Sequence, residues 1–371
     1  MSHMKRREFG RVLSGIAGLG LTDASTGVSP ISSADEDQAK RGTLTDVSGI
    51  KVGHFTDSRR PTGCTAVLFD NEATVGVDYD GSAPGSHLGV LLQPVSPINT
   101  IHGLLLTGGG VFALPSVAGV MRYLQEHKVG FDWGVPDFRV PIVVGGVIDD
   151  SVVGNPRIWP DAEAAYKSCE AASSRPVDEG NIGAGAGATI GKMLRDFGGM
   201  KGGLGSASLE VGNVVVGALV VINAVGDITD WRTGKIIAGA RRPDGKGFAN
   251  IVETMKRVSR IELRSSMWLH DPVMRSTTLA VAGTNASFDK TAMTKIAMMA
   301  STGLARTINP YHTTGDGDST FAISTHKVKS ELAISVIGSL AAEVVSEAVL
   351  RAARAAKSIE GWPAFRDYQE D

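Results

Sequence analysis

Arg275-Ser276-Thr277-Thr278-Leu279-Ala280-Val281-Ala282-Gly283 carries a polar approach straight into an apolar, β-favouring run, so two adjacent threonines stand where a loop becomes a buried strand. Threonine is common at strand starts, and the stretch alone says only that a strand begins. Its neighbours give it weight. Before it, Arg264 to Ser276 is irregular and polar and reads as an exposed connector that can be cut. After it, Asp289 to Ala305 alternates Ala, Met, Ile and Leu at helical spacing. Asn309 to Asp318 is a turn-rich loop that brings Asp316 and Asp318 to the start of a strand, Ser319 to Thr325. Asp-x-Asp hints at calcium, but the other spaced oxygen ligands of a calcium loop are missing, and no metal is expected. A long helix from Ser330 to about Lys357 follows, with Leu332, Val336, Leu340, Val344 and Ala348 along one stripe.

Working back toward the N-terminus, short β-rich runs bounded by Gly, Pro, Asp and Asn predict strands over Gly49 to Phe55, Thr65 to Phe69, Thr74 to Tyr79 and Ile101 to Leu106. Thr107-Gly108-Gly109-Gly110 then opens a helix, Pro115 to His127; the glycines either bind an anion at the helix start or let strand and helix pack closely. Val140 to Val147 is an apolar strand ending in Ile148-Asp149-Asp150, and Asp161 to Ala172 is a helix. Asn181 to Lys192 is the most biased stretch, with alternating glycines. It fits neither the phosphate-loop pattern, because Ala186 and Met193 fall on its Gly and Ser/Thr positions, nor Gly-x-Gly-x-x-Gly, because Ile190 follows. Lys192 at its end is either a solvated surface lysine or a side chain carried on a backbone that can approach anything. Val214 to Ile222 is continuously apolar and interior, and ends at Asn223, which is either a turn residue or an amide donor aimed into a site. Phe248 to Leu263 is helical. Strand groups with helices outside them predict an α/β fold, a four-layer α-β-β-α sandwich with two mixed sheets between helices, in one domain over 41–371.

Composition narrows the function. The charge of -2, with acidic and basic residues evenly mixed, offers no basic face for nucleic acid. Cys64 and Cys169 are too few and too far apart for a disulfide framework or a metal knuckle, and read as buried small hydrophobes. Met4-Lys5-Arg6-Arg7-Glu8-Phe9, followed by a short apolar run from Val12 to Leu21, resembles a twin-arginine export signal. The run is too short to span a bilayer, so residues 1–40 predict a signal and linker, a periplasmic or secreted protein, and no stable membrane anchor. There is no Gly-x-Ser-x-Gly elbow, no His-Glu-x-x-His and no Cys-x-x-Cys, and the eight histidines are scattered. A hydrolase built from this chain therefore needs another base, such as the amine of an N-terminal threonine.

Several ordered motifs carry a family signature: Ile50-Lys51-Val52-Gly53-His54, Gly63-Cys64-Thr65, Leu106-Thr107-Gly108-Gly109, Gly180 to Gly185, Lys201 to Ser208, Val221 to Asp227, Ser276-Thr277-Thr278-Leu279, Gly303-Leu304-Ala305-Arg306 and Asp316-Gly317-Asp318. Together, over roughly residues 44 to 326, they closely resemble the L-aminopeptidase/D-amino acid esterase family, with its β-peptidyl aminopeptidase and nylon-oligomer hydrolase relatives. The resemblance implies the same α-β-β-α fold and a precursor that cuts itself before Thr277, giving chains 41–276 and 277–371. Thr277 becomes the N-terminal nucleophile, the scissile bond is Ser276-Thr277, and Lys192, Asn223, Asp316 and Asp318 match the positions used around it. Asp149, Gly108 and Gly109 fall in the substrate-binding region. No cofactor is implied, and a homo-oligomer, dimer or tetramer, is expected.

The implied chemistry is an acyl-enzyme on Thr277. An α-amine has a reference pKa of about 7.7–8.0 and can serve as its base, with Lys192 lowering that value through like charge. Asn223 would donate to the oxyanion, and the Asp pair would orient the Lys192 and Thr277 amines or hold a substrate's amino end. Two positions depart from the family. Ser276 stands where many members have Asn or Gly. Asp149 stands where some have a tyrosine, and a carboxylate cannot donate a hydrogen bond unless protonated. The expected activity is release of N-terminal residues from short peptides, amides or esters. Alternatives are an ω-amino amide (nylon-oligomer) hydrolase, an acyltransferase of the ornithine acetyltransferase type, and an uncut binding protein.

Overall fold

The computed structural model describes residues 42–194, 197–257 and 276–368; the export-type segment and the connector as far as residue 275 lie outside the described residues. Nine strands are linked by hydrogen bonds, eight of them along one path: β1 (Ile50–Thr56), β2 (Gly63–Asp78), β3 (Ser86–His87), β4 (Ile101–Thr107), β5 (Val143–Val147), β6 (Gly203–Val211), β7 (Val214–Asn223), β8 (Thr277–Ala286) and β9 (Ser319–Val328). Their order is β6-β7-β8-β9-β2-β4-β5-β3, with β1 also on β2. Pairing is mixed: β8 with β9 and β4 with β5 are parallel, and the rest are antiparallel.

The strand β2 corrects the sequence reading. Two strands were expected, over Thr65 to Phe69 and Thr74 to Tyr79, yet one strand of 16 residues runs through both. Its first half pairs with β1 and β4 and its second half with β9, and the register to β4 shifts between Leu68 and Ala73. Asp70, Asn71 and Glu72 are exposed because the strand is changing partners there. Their polarity imitates a turn without making one.

Apolar residues fall in three main clusters that follow the period-two alternation of the strands. Val67, Val75 and Val77 of β2 join Leu104 of β4, Val144 of β5, Val221 of β7, Leu279 of β8 and Phe321 of β9 in one of them. The opposite faces of β7, β8 and β9, through Val220, Ala280 and Ala322, pack with Met293, Ile296 and Leu304 of one helix and Val345 and Val349 of another. Ala66, Leu68, Leu105 and Val143 pack with helices α1 (Val117–Glu126) and α2 (Ala162–Glu170), and Cys64 and Cys169 are free and buried there. All ten residues of β8 are buried, its three threonines and Asn285 included.

A short helix, α3 (Ile251–Arg257), lies within the expected Phe248 to Leu263 helix but begins three residues later; residues 258–263 lie outside the described residues. Helix α4 (Lys290–Thr307) is capped by Asp289, whose carboxylate accepts from the Ala292 amide at 2.8 Å. In α5 (Ile334–Ala355) the buried face is Ile337, Ala341, Val344, Val345 and Ala348, whereas Val336 of the expected stripe is 40 % exposed. Small residues decide this face. Gly205 of β6 lets the helix come so near that an added Cβ would lie 2.2 Å from the Ala348 carbonyl oxygen. Among the described residues no helix is long and apolar enough to cross a membrane.

Candidate active site

Strand pairing brings the expected residues together before any side chain is considered. Thr277 opens β8 opposite Asn223, the last residue of β7. On its other edge Ser276 forms a parallel bridge with Asp316, and β9 begins at Ser319. Lys192 is delivered by the glycine-rich run: its amide donates to the Val225 carbonyl (2.9 Å) and the Gly191 amide to Gly226 (3.1 Å), which fastens the run beside the end of β7.

The Thr277 hydroxyl donates to the Ser276 carbonyl oxygen at 2.7 Å, so it already touches the bond expected to break. Ser276 and Thr277 are 2 % and 7 % exposed. The connector was expected to be exposed up to Ser276; its last residue is instead inside the sheet, where the backbone must continue the ladder. An external protease cannot reach such a bond, whereas a neighbouring hydroxyl can. Two open clefts, one lined by His54, Arg175 and Asp178 and one by Phe55, Arg59 and Trp159, do not include Thr277.

Asn223 is buried and fully oriented. Its Oδ1 accepts from the Lys192 ammonium (2.9 Å) and the Thr189 amide (3.0 Å), and its Nδ2 donates to the Asp149 carbonyl (3.0 Å). Lys192 Nζ also donates to the Asn223 carbonyl at 3.1 Å. The stem of Lys192 is partly exposed but its amine is enclosed, and burial pulls its pKa down to about 7 against the charges of Asp316, Asp149, Asp150 and Asp318. At neutral pH a useful fraction of this lysine is an uncharged amine.

The Asp pair has divided duties. Asp318 Oδ1 accepts from the Thr278 amide at 2.6 Å and so fixes the backbone just after the nucleophile. Asp316 Oδ2 accepts from the Thr313 amide (3.1 Å) and hydroxyl (2.5 Å). Burial raises both carboxyl pKa values, and in Asp318 the neighbouring Asp316 adds to the rise. Toward Lys192 both act through charge.

Asp149 reaches the site through its backbone, since its side chain accepts from the Ser151 amide at 2.8 Å. Gly108 and Gly109 are placed against Asp150. The Gly109 amide donates to Asp150 Oδ1 (2.9 Å), and an added Cβ at Gly108 would lie 2.2 Å from Asp150 Oδ2. Asp150 is fully buried in an ion pair with Arg60, so among the described contacts Gly109 gives its amide to this internal carboxylate and Gly108 allows the close approach to it. No group of three or more His, Cys, Asp or Glu that could hold a metal occurs among the described residues.

Three supports escaped sequence reasoning. Lys201 is fully buried, and its Nζ donates to the carbonyls of Gly185 (3.0 Å), Ala188 (2.9 Å) and Gly202 (2.9 Å), which holds the glycine-rich run in shape. Burial pulls its pKa to about 7, while three carbonyl acceptors favour the ammonium. A lysine between Met200 and a glycine pair gives no periodic signal of burial. Lys201→Met should lower stability by about 2–3 kcal/mol, read by chemical denaturation, because it leaves three buried carbonyls short of a donor. The second support is the segment after β2: the Gly81 and Ala83 amides donate to the Asp318 (3.1 Å) and Asp316 (3.0 Å) carbonyls. The third is Tyr311, whose hydroxyl donates to Asp80 at 3.2 Å; burial and nearby carboxylates push its pKa well above the usual tyrosine value.

The chain as a whole is similar to known proteins. An uncharacterised aminopeptidase of Mycobacterium leprae is 33 % identical over 88 % of this chain and 94 % of its own length. A 6-aminohexanoate-oligomer endohydrolase of Kocuria sp. is 28 % identical over 83 % of this chain and 85 % of its own. Among solved structures, the L-aminopeptidase D-Ala-esterase/amidase of Ochrobactrum anthropi, described as a variant of the Ntn-hydrolase fold, superposes with a TM-score of 0.60 at 19 % identity, covering 85 % of this chain and 86 % of that one. The model of peptidase family S58 matches residues 42–364, and the chain belongs to that family.

Proposed function

We propose that this protein is an autoprocessing N-terminal threonine hydrolase that releases residues from the amino end of short peptides, amides or esters. The observation that carries the reading is the Thr277 hydroxyl, 2.7 Å from the carbonyl oxygen of a buried Ser276, with Asn223 on the adjacent strand and Lys192 bonded to it from the glycine-rich run. The three main apolar clusters fit a four-layer α-β-β-α sandwich with two mixed sheets between helices, joined through β2.

In the uncut chain Thr277 has no free amine, so another base must take its hydroxyl proton, and neutral Lys192 suits that task. Thr277 Oγ attacks the Ser276 carbonyl carbon and its proton passes to Lys192. The Ser276–Thr277 C–N bond then breaks as the Thr277 nitrogen is protonated, leaving an ester between Ser276 and Thr277 Oγ. Water opens the ester, giving a Ser276 carboxylate and a Thr277 with free amine and hydroxyl. In turnover that amine serves as base, the substrate acyl group passes through an ester on Thr277, and the Asn223 amide stabilises the oxyanion.

Intact mass of the purified protein tests this. The smaller of two chains should start at Thr277 and hold 371 - 276 = 95 residues of the sequence. A single chain that hydrolyses aminoacyl anilides would sink the self-cleavage reading. The Kocuria relative supports a second reading, an ω-amino amide hydrolase, which predicts faster turnover of 6-aminohexanoate oligomers than of aminoacyl anilides. The paired arginines Arg6-Arg7 support export to the periplasm or beyond.

A further inference from the structure

We propose that the backbone N–H of Gly317 is the oxyanion donor of the self-cleavage step. This rests on the self-cleavage reading and assigns a group to it. The Gly317 amide donates to the Ser276 carbonyl oxygen at 3.0 Å, the same oxygen that accepts from the Thr277 hydroxyl. When that hydroxyl loses its proton and attacks, its own hydrogen bond to the oxygen is gone, while negative charge gathers there. The Gly317 N–H stays, and its bond becomes charge-assisted and stronger at that moment. A donor that holds its place as charge develops is what lowers the barrier.

The donor is fixed before the reaction. On one side the Ala83 and Gly81 amides grip the carbonyls of Asp316 (3.0 Å) and Asp318 (3.1 Å), which flank Gly317. On the other, Asp318 Oδ1 holds the Thr278 amide at 2.6 Å, which ties the loop carrying Gly317 to the nucleophile strand. The Ser319 hydroxyl donates to the Gly317 carbonyl at 3.0 Å. Glycine is required here by space: a Cβ at position 317 would lie 2.5 Å from the Ala83 carbonyl oxygen and 2.8 Å from Thr277 Oγ. Any side chain would push the nucleophile or the clamp away. An ordinary ladder bond needs none of this, and here the last ladder bond before the nucleophile falls on the carbonyl that is attacked.

The test replaces Gly317 in the full chain by glycolic acid, which turns its N–H into an ester oxygen with no change of shape. The control replaces Ala83 by lactic acid, which deletes a clamp bond and leaves the scissile carbonyl its donor. Cleavage is followed by intact mass. The glycolate chain should cut about 10²–10³-fold more slowly than the natural chain, and at least about tenfold more slowly than the Ala83 control. Equal rates for the two replacements would overturn the proposal while leaving self-cleavage intact. A natural chain that never cuts overturns the reading beneath it. A second measurement does not depend on how the glycolate chain folds: in the uncut Thr277→Ala protein the Gly317 amide must be protected from hydrogen exchange like the β8 core, and free exchange there rejects the role.

Discussion

Thr277→Ala is expected to yield one uncut chain whose hydrolysis of aminoacyl anilides is lower by about 10⁵-fold or more, the scale of loss when a covalent nucleophile is deleted. The fold should survive, because the substitution removes one hydroxyl and one methyl from a residue whose backbone pairs with Asn223 and whose preceding residue, Ser276, is held by the Asp316–Gly317 segment. Thr277→Ser keeps the hydroxyl and should still cut. Intact mass and a thermal melt on the same samples separate the two effects. Hydrolysis that persists in an uncut Thr277→Ala chain would place the chemistry elsewhere in the protein.

The second large effect concerns the base. With its pKa near 7, Lys192 is mostly protonated at pH 6 and mostly neutral at pH 8. Only the neutral amine can accept the Thr277 proton, so self-cleavage should rise about tenfold per pH unit below 7 and level off above it. Lys192→Met should slow the cut by about 10²–10⁴-fold at pH 8. Lys192→Arg should do the same although it keeps the charge, because a guanidinium is not deprotonated in proteins. Cleavage time courses from pH 5 to 9 decide this. An arginine variant that cuts at the natural rate would remove Lys192 from the proton transfer and leave it a purely electrostatic part.

The positions of the candidate residues were legible in the sequence, because they sit at ends of elements with clear patterns, while the roles assigned to them came from the family resemblance. Asn223 closes a continuous apolar run, Thr277 opens one, and Asp316 and Asp318 lie in a turn-rich loop before a third. Adjacent antiparallel and parallel strands then bring these ends together. What the sequence hid is of a different kind. Lys201 donates to backbone carbonyls, and carbonyls have no residue type to recognise. Ser276 looks like the end of a polar connector, and its burial follows from sheet pairing rather than from its own character. Asp70, Asn71 and Glu72 look like a turn because exposure has the same composition whether a chain reverses or merely changes partners. Of the stripe expected on α5, Val344 and Ala348 are buried and Leu332 and Leu340 pack against the core, while Val336 is exposed and alanines facing Gly205 extend the buried face instead.

The place of β8 and β9 in the sheet has one more consequence. Both belong to the piece after Thr277, yet β8 lies between β7 and β9, and β9 lies between β8 and β2, so the larger piece encloses them on both edges. The proposed cut would therefore create two molecules whose strands remain interleaved in one sheet. Before it, refolding is a first-order event in a single polymer. After it, reassembly is second order, and stability depends on concentration. On the proposed mechanism maturation would act as a ratchet on the fold: the site forms only in the finished sheet, and a cut made there would leave unfolding much harder to undo.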